Sequence, residues 1–87
     1  MDRNHVWKIL TKEVESVIVH PLVEIVGMGR VLIEHHNGII DYQPEYICVR
    51  MDYGTLKICG KNLHFVKICA QQLVIAGEIS AVCMARR

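Results

Sequence analysis

Regular punctuation governs this chain. From Leu22 onward, short runs rich in Val, Ile and Leu are broken by turn formers: Gly27-Met28-Gly29, Asn37-Gly38, Gln43-Pro44-Glu45, Tyr53-Gly54, Gly60-Lys61-Asn62 and Ala70-Gln71-Gln72. Breaks about every eight to twelve residues between apolar runs are the mark of an all-β chain. They predict a mostly β fold: a short-stranded antiparallel meander closed as a sandwich, a small barrel or a stacked roll. The sharpest single signal is Asn37-Gly38. Both central residues of a type I′ turn need positive φ, which Asn tolerates and Gly enters freely. A hairpin is therefore expected between the apolar runs on either side.

Within the runs, side-chain alternation assigns faces. Leu22 to Val26 reads as a strand ended by Gly27. Ile47, Val49 and Met51 share one face of the next clear strand, with Tyr46, Cys48, Arg50 and Asp52 on the other, and Leu56 and Ile58 continue the inward phase. After Leu63 and Phe65 the phase slips to Val66 and Ile68, which predicts a β-bulge near Phe65. Gly77 bends the path into the last strand, Ile79 to Met84.

Residues 4–18 carry the one helical period. Val6, Ile9, Leu10, Val14, Val17 and Ile18 recur at three- and four-residue spacing. Asn4 is a fitting N-cap, and His20-Pro21 ends the pattern. The expected organisation is an N-terminal amphipathic helix over residues 1–20 and a β domain over 21–87, together one structural domain. The helix stripe, with Trp7 beside it, gives Val6, Trp7, Ile9, Leu10, Val14 and Val17 as a partner-binding set.

Composition excludes several function classes. Ten Lys and Arg face nine Asp and Glu, so no basic footprint for nucleic acid exists. No apolar run approaches a membrane span of about 18 residues, and no signal-peptide core follows the polar start. The chain therefore reads as cytoplasmic. Apolar residues make up 52% of 87 positions, high for so small a core, which points to an exposed interaction surface. Cys48, Cys59, Cys69 and Cys83 lack any redox or zinc-ribbon spacing and are expected as reduced, core-filling thiols.

Candidate chemistry is sparse. Glu34 and His36 share a strand face and could ligate a metal with Asp41 or His64, whereas adjacent His35 and His36 point apart. Gly27-Met28-Gly29 lacks the third glycine and the following helix of a dinucleotide loop. No nucleophile elbow, carboxylate pair or phosphate loop is present, so no catalytic residues, no cofactor and no enzymatic activity are expected.

The stretch Glu34-His35-His36-Asn37-Gly38 resembles the hairpin motif of the YabP/YqfC family of sporulation proteins, its YqfC branch in particular. Val26-Gly27 matches the strand end before that motif, Glu34, His36 and Gly38 match the motif, and His35 stands where the branch has Asn. Gly54, Leu56, Ile58, Gly60 and Leu63 fit a following Gly-x-Leu-x-Ile-x-Gly-x-x-Leu-x-Ile pattern, with Phe65 and Val66 where its next apolar position falls. Ile75, Gly77 and Ile79 fit a closing Ile-x-Gly-x-Ile. The motif residues are thus Gly27, Glu34, His36, Asn37, Gly38, Gly54, Gly60 and Gly77, which position backbone. The resemblance implies a non-enzymatic sporulation protein of the mother cell, at the forespore membrane, with a membrane-associated partner. A self-associating scaffold module for coat or cortex formation is the expected role, and the chain is expected to be a homo-oligomer. A small β adaptor, or a ligand- or metal-binding regulatory domain, is the alternative.

Overall fold

A computed structural model of the chain describes residues 6–10, 16–20, 22–27 and 29–86, and side-chain surroundings for 22–27 and 29–85. Eight strands appear among these residues: β1 (Val6–Leu10), β2 (Ser16–His20), β3 (Val23–Val26), β4 (Arg30–Glu34), β5 (Ile39–Gln43), β6 (Tyr46–Met51), β7 (Gly54–Ile68) and β8 (Gln72–Arg86). All pairings are antiparallel, in the order β2-β3-β4-β8-β7-β6-β5, with β1 also on β8.

The frame is the long β7–β8 hairpin, whose strands are 15 residues each. β8 carries β7 along one edge. Its other edge takes β4 at Gln72–Ala76 and β1 at Ala81–Ala85. The β7–β8 register shifts between Cys59 and Gly60, between Lys61 and His64, and between Phe65 and Lys67. These bulges bend the hairpin, as extra residues on one strand do. Gly60-Lys61-Asn62 is therefore not the expected turn but a bend inside a continuous strand. Two glycines make the bend possible. A Cβ on Gly60 would lie 2.1 Å from the Glu78 carbonyl oxygen, and Gly77 has φ of 141° with Asn62 O only 2.8 Å from its Cβ position. The backbones meet there more closely than any side chain allows.

Because the hairpin bends, the sheet folds over onto itself. β2, β3, β4 and the first part of β8 form one half; β5, β6, the first part of β7, the second part of β8 and β1 form the other. Val23, Ile25, Val31, Ile33, Leu73 and Ile75 from the first half join Ile47, Val49, Met51, Leu56, Ile58, Val82 and Met84 from the second in one buried cluster. The mostly β antiparallel fold is as expected from the turn spacing, and the inward phase of Ile47, Val49, Met51, Leu56 and Ile58 is as read. The bulge expected near Phe65 is present.

Two further expectations differ from the structure, and the helix expectation falls in part outside the described residues. First, Asn37-Gly38 does not close a hairpin. β4 pairs with β3 and β8, and β5 pairs with β6. Positive φ falls on His35 (59°) and Gly38 (117°) rather than on Asn37. The Asn-Gly pair marks where backbone can turn, but burial of Val31, Ile33, Ile47 and Val49 on other partners decides which strands pair. The helix expected over 4–18 falls partly on residues 4, 5 and 11–15, outside the described residues; the stretches Val6–Leu10 and Ser16–His20 are strands. Val6, Ile9, Val17, Ile18 and Val19 are β-branched and stiff at χ1, which suits pairing with β8 and β3. Of the helix-based partner set, Val6, Trp7, Ile9 and Leu10 lie on β1 and Val17 on β2, while Val14 lies outside the described residues. Second, the cysteines are not core. Cys48, Cys59 and Cys83 are half-buried and Cys69 is exposed. Each of the half-buried three sits one position out of phase with a buried neighbour such as Ile47, Ile58 or Val82, so the strand alternation turns it outward.

Candidate functional site

Residues 35–38 cross from one half of the folded sheet to the other. Even fully extended, four residues and their flanking bonds reach no more than about 18 Å, so the strands must curl for β4 to feed β5. The crossing is fixed at both ends. His35 N–H donates to Gln71 O at 2.7 Å, Asn37 N–H to Arg50 O at 2.7 Å, and Arg50 N–H to Gly38 O at 2.8 Å. His36 locks the middle. Gly38 N–H donates to its Nδ1 at 3.0 Å, and its Nε2 lies 3.0 Å from Cys69 O. Since a backbone N–H only donates and a carbonyl only accepts, Nδ1 is bare and Nε2 carries the proton. The Asn37 amide donates to the Asp52 carboxylate.

Of the motif residues, His36, Asn37 and Gly38 hold a crossover rather than a hairpin, and Glu34 ends β4 opposite Gln72. Gly27 (φ 62°) and Gly54 (φ 155°) begin or end strands in the region open to glycine. As ligands the candidates are dispersed. Both His36 ring nitrogens are engaged, Asp41 accepts from Tyr42 N–H and Tyr46 O–H, and His64 Nδ1 lies 2.9 Å from Asn62 O. Among the described residues no group of three or more His, Cys, Asp or Glu side chains could hold a metal ion.

The outward face of β5–β6–β7 is polar and internally satisfied. Tyr46 O–H donates to Asp41 Oδ2 at 2.9 Å, and Lys57 Nζ lies 4.9 Å from the Tyr46 ring centroid. The hydrogen bond and charge of Asp41 hold the Tyr46 phenol above its ordinary value. Burial pushes the Cys48 thiol up despite the opposing pull of Lys57, so it stays protonated and is a poor nucleophile.

The open side of the folded sheet is different. β5 is an edge strand, and β6 leaves β7 at Cys59. The β5–β6 turn then bonds β7 through Gly60 N–H to Glu45 O and Leu63 N–H to Pro44 O. Beyond Leu63, no described strand lies beside that edge of β7. By register Ile39 pairs with Val49, Tyr42 with Ile47 and Ile68 with Leu73, so all three face the core side. Yet Ile39 is 38% exposed, Tyr42 49% and Ile68 59%. Tyr42 meets Phe65 edge-to-face with ring centroids 5.1 Å apart, bridging the two edges. Ile40 and Val66 add further exposed apolar surface. The core thus runs out to an uncovered rim. Two charged residues of these strands are tied back, Asp41 to Tyr46 and Lys67 Nζ to Gln72 Oε1 at 2.8 Å.

The family model of the YabP family matches residues 20–87. The chain belongs to the YabP family. Membership suggests a sporulation-related protein. No curated protein and no solved structure matches the chain. Among the described residues of this YabP-family chain, no helix is long and apolar enough to cross a membrane.

The rim residues Ile39, Tyr42, Phe65 and Ile68 escaped the sequence reading as a site. A signal was present: Ile39-Ile40 places apolar side chains on both faces of one strand, and Val66 and Ile68 break the alternation of β7. That pattern was read as a phase slip into the core, whereas Val66 and Ile68 lie on its open border.

Proposed function

We propose that this YabP-family protein is a non-enzymatic assembly module in sporulation, and that it self-associates strand to strand at the open side bordered by β5 and the end of β7. One observation carries the reading: Ile39, Tyr42 and Ile68 face the core side of the sheet yet stay exposed beside backbone edges that no described strand pairs. Natural edge strands are usually guarded by free charges, proline or covering segments. Here Asp41 and Lys67 are held by hydrogen bonds to Tyr46 and Gln72, so their charges are drawn back from the apolar side chains that a neighbouring copy meets. A formal net charge of +1 gives little repulsion between copies. The family resemblance supports the setting: a scaffold on the mother-cell side of the forespore, serving coat or cortex formation beside a membrane-associated partner.

Light scattering of the purified chain over a concentration series tests this. The wild type is expected to form oligomers, and Tyr42→Lys with Ile68→Lys to stay monomeric with unchanged circular dichroism. A wild type that stays monomeric at every concentration would overturn self-association and favour a one-to-one adaptor for the membrane-associated partner.

A further inference from the structure

The crossover holds a reactive pair that the assembly reading does not use. Asn37-Gly38 is the dipeptide most open to intramolecular attack on a side-chain amide, because glycine places no side chain over the attacking nitrogen. Around Gly38 this opening is complete: nothing lies within 4 Å of where its Cβ would stand. The attacking atom is the Gly38 nitrogen, which must lose its proton as it adds to the Asn37 Cγ. That N–H already points at a base, the bare His36 Nδ1 at 3.0 Å. His36 is itself held in place through Nε2 and Cys69 O. The Asn37 amide is oriented too. An ionised carboxylate only accepts, so the Asp52 Oδ1 contact fixes the amide nitrogen toward Asp52. The leaving nitrogen therefore lies beside a negative charge that favours its protonated form, and the exposed position of Asn37 admits water.

We propose that Asn37 is a self-modifying residue, converted to aspartate and isoaspartate by ring closure onto Gly38 with His36 as general base. In the first step the Gly38 N–Asn37 Cγ bond forms and the proton passes to His36 Nδ1. The tetrahedral carbon then expels the Asn37 amide nitrogen as ammonia, with that proton returned to the leaving group. The product is a succinimide. Water adds to either ring carbonyl and breaks one C–N bond, giving Asp at position 37 or an isoaspartyl link with one more methylene in the backbone. No oxidant or cofactor takes part. Either product loses the amide donor to Asp52 and sets a second carboxylate against it, which loosens the strap between the two halves of the sheet.

The test follows the intact, purified full-length chain at neutral pH in water enriched in heavy oxygen, with peptide mass mapping of position 37. In the folded protein, conversion with uptake of the heavy oxygen is expected several-fold faster than in the same chain unfolded in urea. His36→Gln, which can still accept and donate hydrogen bonds but is no base, is expected to slow the folded protein several-fold and to leave the rate in urea unchanged. Slower conversion in the folded wild type than in urea would overturn the proposal, since the crossover would then be protecting Asn37. A natively folded His36→Gln with an unchanged rate would also overturn it. The wild-type comparison stands even if that variant does not fold.

Discussion

Two glycines of the family pattern show how differently the same residue type can be required. At Gly60 the need is space: the Glu78 carbonyl oxygen occupies the place a side chain would take. At Gly38 the need is conformation: φ is 117° and the surrounding space is open. Gly60→Ala must push two backbones apart in the middle of the hairpin and is expected to cost on the order of 3 kcal/mol, as overpacking does. Gly38→Ala meets only the backbone penalty of a left-handed residue, about 1–2 kcal/mol. Urea denaturation of both variants checks the order, through the drop in midpoint at constant slope. Equal losses would mean that the bend at Gly60 relaxes more readily than its contacts imply.

Among elements, β5 and the end of β7 stand apart because their charges do not guard them. Lys67 bonds Gln72, and Asp41 bonds Tyr46. Releasing those side chains should let them act as gatekeepers without removing any apolar contact surface. Gln72→Ala combined with Tyr46→Phe is expected to weaken self-association several-fold in sedimentation or light scattering. The effect should shrink as salt is added, because a freed charge is screened. A variant that associates as tightly as wild type would place the contact elsewhere. The strands themselves were largely legible: alternation at Tyr46–Met51 and Thr55–Ile58 assigned the buried face correctly, since period-two patterning reports directly on burial. Pairing was not legible. Asn37-Gly38 announced a turn, but the partner of β4 is decided by β8, some forty positions away in the chain, and no local signal carries that. The apolar period over Val6 to Ile18 is ambiguous by itself: spacing of three and four residues fits a helix stripe and also arises in β-branched runs, whose stiffness favours strands.

Across the whole molecule, the bend at Gly60 and Gly77 turns what would be two thin layers into one shared interior. Ile33 lies in one half and Ile58 in the other, and both are fully buried in the same cluster. Truncating either to Ala is expected to cost about 3 kcal/mol. Both variants should still unfold in a single transition, with near-ultraviolet and backbone circular dichroism losing signal together. Two separated transitions in either variant would show that the halves hold independently. The candidate site belongs to this scale as well. Only when the sheet is folded over does its open border bring Tyr42 against Phe65, which explains why no contiguous motif could display it.

β8 has a consequence for how the protein is made. It follows every other described strand in chain order, yet β1, β4 and β7 all pair with it. Until Gln72 and the residues after it emerge, β2–β3–β4 and β5–β6–β7 are two separate three-stranded pieces with no strand to join them. Closure of the shared core therefore waits until β8 has emerged. For that interval the nascent chain carries the apolar core faces of both pieces uncovered, beside other copies growing on the same message.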